Sequence, residues 1–157
     1  MTPIDAYLHA VLMRAEHEAR EDNSKTIEAE HVLLAIAGEG EHTTRQVLAS
    51  AGLDVQAVRD ALTREFEHSL NTVGVSSSTY TLPEPSKSYR PPKMGASAKL
   101  VMERAFTTTR KKDLRPGHVL LAVLRAEVGT VPRALALAGV DRAGLVTRTQ
   151  EALAQQV

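Results

Sequence analysis

The sequence predicts an all-α protein made of two similar four-helix units. The heptapeptide at residues 30–36 (Glu-His-Val-Leu-Leu-Ala-Ile) returns at residues 117–123 as Gly-His-Val-Leu-Leu-Ala-Val. Of the 25 positions from Glu30 to Asp54, 11 are identical to those 87 residues later, whereas unrelated stretches would share on the order of two. Apolar residues recur every three or four positions, and the alternation typical of strands is nearly absent. We therefore interpret the chain as a duplicated helical unit.

The first two helices are predicted from their apolar spacing and from the residues at their ends. The first runs from Asp5, its predicted N-cap, to about Glu21, and Ile4 precedes it as a hydrophobic staple. Its apolar face comprises Leu8, Val11, Leu12, Ala15 and Ala19. The second covers about residues 28–37 and ends at the Gly-Glu-Gly of residues 38–40.

The third and fourth helices complete the first unit. The third covers about residues 43–50, and Gly52 after it suits the left-handed conformation that ends many helices. Asp54 is predicted to cap the fourth helix. The apolar face of that helix comprises Val58, Ala61, Leu62 and Phe66.

Residues 69–93 differ from the rest of the chain. They contain three consecutive serines at 76–78 and little periodic apolar content. They also contain four prolines, which are Pro83, Pro85, Pro91 and Pro92. Because proline opposes both helix and ladder formation, we predict a long Ser/Pro-rich linker here. The chain then divides into a first repeat at 1–68, the linker at 69–93 and a second repeat at 94–157.

The second repeat follows the same order of four helices, which gives eight in total. The inner face of its opening helix is predicted to comprise Ala98, Val101, Met102 and Ala105. Pro116 and Pro132 fit the first turns of the next two helices, where a missing N–H is tolerated. Gly139 is predicted to end the seventh helix and Asp141 to cap the eighth.

Composition excludes several classes of protein. The chain has 43% hydrophobic residues, which suffices for a packed core, and no cysteine, which excludes disulfides and thiolate chemistry. The N-terminus lacks the features of a signal peptide, and no apolar run reaches membrane-spanning length. We therefore expect a cytoplasmic protein without a membrane partner.

The net charge of zero hides an uneven distribution. Residues 1–66 carry 6 Lys or Arg against 12 Asp or Glu, whereas residues 94–157 carry 10 against 5. Such asymmetry can steer partners or favour head-to-tail contact between molecules. Independent drift of the surface charge of duplicated halves is the alternative.

The duplicated order of motifs resembles the Clp N-terminal domain, the double Clp repeat at the front of ClpC- and ClpA-type AAA+ unfoldases. The matching segments are residues 30–34, 39–41 and 47–53 in the first repeat, and 118–121 and 134–140 in the second. The resemblance implies a non-catalytic module of bacterial regulated proteolysis. It would bind substrates, adaptors or peptidic ligands, including cyclic peptide antibiotics. The Walker motif of the family's ATPase modules does not occur in this sequence, so we expect a stand-alone domain that acts as a decoy or regulator of a Clp unfoldase.

The resemblance also implies a phosphoarginine site in the first repeat. In ClpC-type domains the Glu of the Glu-His pair, once per repeat, helps to bind phosphoarginine on tagged substrates. Glu30 retains this residue, and Gly117 replaces it in the second repeat. The alternative role of Glu30 is an acid that complements the helix dipole. We interpret His31 and His118 as hydrogen-bonded residues at helix starts rather than as ligands.

Family members also present an apolar groove near the starts of the two opening helices, which adaptors and cyclic peptide antibiotics use. By alignment, Ile4, Met94 and Lys99 fall in that region, and Met94 stands where the family typically has an aromatic residue. The alternative is that Ile4 and Met94 are only hydrophobic staples before their helices.

Nothing in the sequence predicts catalysis, a cofactor or a metal site, because the histidines lack metal spacing and no nucleophile or phosphate loop occurs. The basic residues 110–112 are interpreted as a solvated helix end rather than as a nucleic-acid contact. A self-associating module, driven by the opposite charges of the two halves, is the alternative to a binding module. Sedimentation at low and high salt separates the two, because salt screens a charge-driven assembly.

Overall fold

The computed structural model describes residues 2–74 and 90–156, and these fold into eight α-helices, one 3₁₀ turn and two short strands. The first unit contains α1 (Pro3–Glu21), β1 (Thr26–Ile27), α2 (Ala29–Gly38), α3 (His42–Ser50) and α4 (Val55–Thr72). The second contains β2 (Lys93–Met94), α5 (Ala96–Thr108), the 3₁₀ turn (Lys111–Asp113), α6 (Pro116–Leu124), α7 (Thr130–Leu137) and α8 (Arg142–Gln155). The prediction of an all-α protein with eight helices in two units is confirmed.

The two repeated segments form the centre of the molecule. Residues 32–37 of α2 and 119–124 of α6 are all buried. Helices α2 and α6 contact each other, and the outer helices pack around them. Val58 and Leu145, which occupy the same position in the two repeats, are both buried. The core consists of Leu, Val, Ile and Ala, as expected for a chain with so few aromatic residues.

The caps of the third, fourth, seventh and eighth helices follow the prediction. Gly52 and Gly139 have φ of 73° and 72° and end α3 and α7. Asp54 accepts a hydrogen bond from the Ala57 N–H at 2.7 Å, and Asp141 accepts one from the Gly144 N–H at 3.0 Å. These ends could be predicted because a cap depends on residues within one turn of it.

One predicted helix start was wrong. Helix α1 begins at Pro3 with Thr2 as its N-cap, and Asp5 is the third helical residue of the same capping box. Thr2 Oγ1 accepts from the Asp5 N–H and Asp5 Oδ2 accepts from the Thr2 N–H, both at 3.2 Å. Helix α7 begins at Thr130, so Pro132 is its third residue and lies in the first turn, as predicted. Pro116 is the first residue of α6 and so also lies in a first turn, as predicted.

Helix α4 also extends further than predicted. It continues to Thr72, so the repeat boundary placed at residue 68 falls inside a helix. Ser69 Oγ donates to Glu65 Oε1 at 2.6 Å, which uses the serine side chain within the last turns of this helix. Residues 75–89 of the predicted linker lie outside the described residues.

A short parallel strand pair joins the two units. Thr26 pairs with Lys93 and Ile27 with Met94, and the Gly95 N–H donates to the Ile27 carbonyl at 2.8 Å. Strands of two residues are too short to show an alternating pattern, so no periodicity predicts them. The pair brings the starts of α2 and α5 together.

Two ion pairs between the units use part of the charge asymmetry within one molecule. Arg133 Nε lies 3.0 Å from Glu65 Oε1, and Lys111 Nζ lies 3.5 Å from Asp5 Oδ1. Each joins a base of the second unit to an acid of the first. Among the described residues, no helix is both long and apolar enough to cross a membrane.

Candidate functional site

The start of α2 is fixed by a buried histidine. His31 Nδ1 accepts from the Glu28 N–H at 2.9 Å, and His31 Nε2 lies 3.1 Å from Asp22 Oδ2. The side chain is only 2% exposed. Because both ring nitrogens contact groups of the protein, His31 stabilises the helix start. This agrees with the prediction of a hydrogen-bonded histidine at this position.

The side chain of Glu28 ties this helix start to the second unit. Its Oε1 accepts from Ser97 Oγ at 2.9 Å and from the Ser97 N–H at 3.3 Å. Its Oε2 accepts from Thr26 Oγ1 at 3.0 Å, and Ser97 Oγ in turn accepts from the Ala29 N–H at 2.8 Å. A Cβ at Gly95 would collide with this carboxylate, so glycine is needed there. The starts of α2 and α5 therefore satisfy each other.

Glu30, in the first turn of α2, is placed differently from its neighbours. Its side chain is half-buried, and no other described residue donates a hydrogen bond to its carboxylate. Burial raises the pKa of the Glu30 carboxyl above its usual value, although a hydrogen bond from the residue's own backbone N–H and the neighbouring His31 act in the opposite direction. A desolvated carboxylate that no other residue engages has lone pairs free to accept hydrogen bonds from a ligand.

On one side of Glu30 lies a cavity of about 360 Å³, between the end of α1, the start of α2, and α4. We call it the acidic cavity, and its wall includes Glu18, Glu21, Asp22, Glu30, Glu65 and Phe66. Three of these acids have a partner within the protein, because Asp22 contacts His31, Glu18 pairs with Arg59 and Glu65 pairs with Arg133. Burial alone would raise the pKa of Glu18, but the Arg59 and Arg14 guanidinium groups hold that pKa below its usual value.

On the other side of Glu30 lies a second cavity, of about 230 Å³, between α5 and the start of α7. We call it the mixed cavity, and its wall includes Glu30, Leu100, Arg104, Val128, Thr130 and Arg133. Leu100 and Val128 are 47% and 86% exposed, which is high for apolar side chains lining one depression. Glu30 and Thr130 therefore border both a cavity with excess negative charge and one that carries cations and apolar surface.

The second unit has no equivalent site. His118 Nδ1 accepts from the Arg115 N–H at 3.0 Å, so the histidine has the same role at the start of α6. Burial lowers the pKa of His118, and the neighbouring Arg115 lowers it further. Gly117 is buried, however, and a Cβ there would lie 2.8 Å from Leu153 Cδ2. The space of a glutamate side chain is filled by α8.

The other three predicted ligand residues lie elsewhere. Ile4 and Met94 are half-buried against the core, and Lys99 is exposed on α5. None of the three lines the acidic or the mixed cavity. The packing of Ile4 and Met94 agrees with the alternative of hydrophobic staples, and their role in ligand binding stays a prediction.

Comparison with known proteins assigns the chain to a family. A family model for the Clp repeat (R) N-terminal domain matches residues 4–113, which is more than half of the sequence. The chain belongs to the Clp repeat N-terminal domain family. Among solved structures, the N-terminal domain of the caseinolytic protease associated chaperone ClpD from Arabidopsis thaliana is similar, with a TM-score of 0.64 and 17% identity over 94% of each chain. At that identity the likeness concerns the fold. No curated protein matches the chain in sequence.

The family assignment confirms the resemblance that the repeated motifs indicated. Clp N-domains are non-catalytic interaction modules of Clp chaperone systems, and the eight-helix fold of this chain agrees with that class. Arg104, Thr130 and Arg133 were not predicted as site residues. Their position beside Glu30 depends on how α5 and α7 pack, and no motif of the sequence marks it.

Proposed function

We propose that this Clp N-domain is a binding module of regulated proteolysis and that its first unit binds phosphoarginine through Glu30. The observation that carries the proposal is the Glu30 carboxylate, which is half-buried, accepts a hydrogen bond from no other described residue and borders two cavities. A structural acid at a helix start would be exposed or satisfied, as Glu28 and Glu18 are satisfied here.

The chemistry of the carboxylate fits a guanidinium. A carboxylate accepts two parallel N–H bonds from a guanidinium, and such pairs are among the strongest hydrogen bonds in proteins. Burial strengthens the interaction because the effective dielectric constant is lower than in water. One site per molecule is expected, because Leu153 fills the equivalent space in the second unit.

Calorimetric titration with free phosphoarginine tests this function. We expect about one equivalent of ligand to bind, and Glu30→Gln to abolish the binding by removing the negative charge while keeping the shape. Glu151→Gln is the matched control, since Glu151 is exposed on α8 and lines neither cavity. Thermal unfolding of each variant shows that it is folded. Absence of binding to the unmodified protein, or binding that survives Glu30→Gln, would refute the proposal.

We also propose that adaptors or cyclic peptide antibiotics bind near Ile4, Met94 and Lys99. The support is their position near the starts of α1 and α5, where Lys99 is exposed and the two apolar residues are half-buried. Lys99→Ala should weaken the binding of such a peptide, and Glu30→Gln should not. A domain that binds these ligands would compete for them with a Clp unfoldase when added to its degradation reaction, which is the decoy role.

A further inference from the structure

Arg104 is an unusual residue of the mixed cavity. It lies on α5, four residues after Leu100, so both face the same depression. Its side chain is half-buried, and it forms no ion pair or side-chain hydrogen bond with the residues that the structure describes. A half-buried guanidinium without a counter-ion is costly to desolvate, and an anionic ligand would relieve that cost.

The start of α7 adds donors to the same wall. Gly129 is its N-cap, with φ of 110° and no side chain to accept the first amides of the helix. Pro132 has no N–H, so the Thr130 and Val131 amides are the free donors of this first turn. Arg133 binds Glu65 through Nε at 3.0 Å, and its side chain is 58% exposed. The positive end of α7 and two guanidinium groups thus border one cavity.

Glu30 also lines this cavity, and it forms no ion pair with Arg104 or Arg133 in the described part of the chain. A carboxylate and a guanidinium that line one cavity without pairing with each other are suited to bind a ligand that carries both a positive and a negative group. A phosphorylated guanidinium is such a ligand, with N–H donors at one end and phosphoryl oxygens at the other. A ligand bound the other way round would place its phosphoryl group near the acidic cavity, and the excess of carboxylates there would repel it.

We infer that Arg104 determines the specificity of the Glu30 site by binding the phosphoryl group, with the Thr130 and Val131 amides as further donors. This inference rests on the proposed function, because it requires that Glu30 binds the guanidinium. It adds that specificity for the phosphoryl group comes from Arg104 on α5 and from the start of α7 rather than from the repeated motif on α2.

Titration of four proteins with phosphoarginine and with arginine tests the inference. We expect Arg104→Gln to weaken phosphoarginine binding about 10- to 100-fold and to leave arginine binding unchanged within about twofold. Arg104→Lys should recover part of the loss, because it keeps the charge but not the planar fork. Arg45→Gln is the matched control, since Arg45 is exposed on α3 and lines neither cavity. It should bind both ligands as the unmodified protein does.

Amide NMR supplies a second readout. Phosphoarginine should shift the Thr130 and Val131 amide resonances, and arginine should not. If Arg104→Gln binds phosphoarginine normally while Glu30→Gln does not, the inference is wrong and the proposed function stands. If Arg104→Gln weakens both ligands equally, Arg104 only shapes the site and the inference is again wrong. If the unmodified protein binds neither ligand, the proposed function itself fails.

Discussion

The starts of α2 and α6 share a histidine that accepts a hydrogen bond from the backbone, but they differ in the residue just before that histidine. In both, the ring Nδ1 accepts from the backbone N–H three residues earlier, at 2.9 Å for His31 and 3.0 Å for His118. Glu30 precedes the first histidine and Gly117 the second. The first unit therefore keeps a carboxylate beside two cavities, whereas the second unit packs Leu153 into that space.

This difference separates what the repeat needs to fold from what it needs to bind. The histidine is kept in both units because it satisfies a backbone donor at the start of a central helix. The glutamate is kept only where no side chain fills the space beside it. A half-buried carboxylate without a partner lowers stability, and such residues are typical of binding sites.

The largest effect is expected from removing the histidine of the first unit. His31→Ala leaves a cavity in the core and an unpaired Glu28 N–H, so we expect a loss of about 3 kcal/mol in the free energy of unfolding. His118→Ala should cost about 1 kcal/mol, because His118 is half-buried and its described hydrogen bond is the one from Arg115. Urea denaturation measures both. Equal losses would show that the two helix starts contribute alike.

A smaller effect is expected at the N-caps of the same two helices. Glu28→Ala removes three hydrogen bonds, two of them to Ser97 of the second unit, and should cost about 2 kcal/mol. Within the described residues, Arg115→Ala removes one side-chain hydrogen bond, from Nη1 to the Leu153 carbonyl at 3.3 Å, and should cost less than about 1 kcal/mol. Urea denaturation again gives the two values, and faster hydrogen exchange of the Ala29 amide should accompany Glu28→Ala. An Arg115→Ala loss as large as that of Glu28→Ala would contradict this account.

The sequence predicted the parts of the fold that depend on neighbouring residues. Helical periodicity, the two αL glycines and the two aspartate caps are all set within a few positions along the chain. The first helix start was misplaced because Thr2 and Asp5 belong to one capping box, and each satisfies the backbone of the other. The strand pair was missed because it joins residues 26–27 to residues 93–94, which meet only in the folded chain.

The candidate site shows the same division. Comparison of the two copies of the repeat identified Glu30 as a candidate, because Gly117 occupies the same position of the motif in the second copy. Arg104 and Thr130 could not be found in this way, because they reach Glu30 only through the packing of α5 and α7. An arginine on a helix with no motif around it looks like a solvated residue until its surroundings are known.

The smallest effect is a gain of stability at the binding residue itself. Because the folded protein raises the pKa of Glu30, the charged carboxylate disfavours the native state above that pKa and costs nothing below the unfolded value near 4.5. Glu30→Gln should therefore stabilise the protein by about 0.5–1 kcal/mol at pH 7, and the gain should vanish as the pH falls towards 4.5.

Glu18→Gln is the control, for which the opposite change in stability is expected. The pKa of Glu18 is lowered, so this variant should lose stability at pH 7, and the loss should shrink as the pH falls through the lowered pKa. Urea denaturation of both variants at pH 7 and near pH 4.5 tests this prediction. A Glu30→Gln variant that is less stable than the unmodified protein at pH 7 would show that another residue of the protein already stabilises the carboxylate.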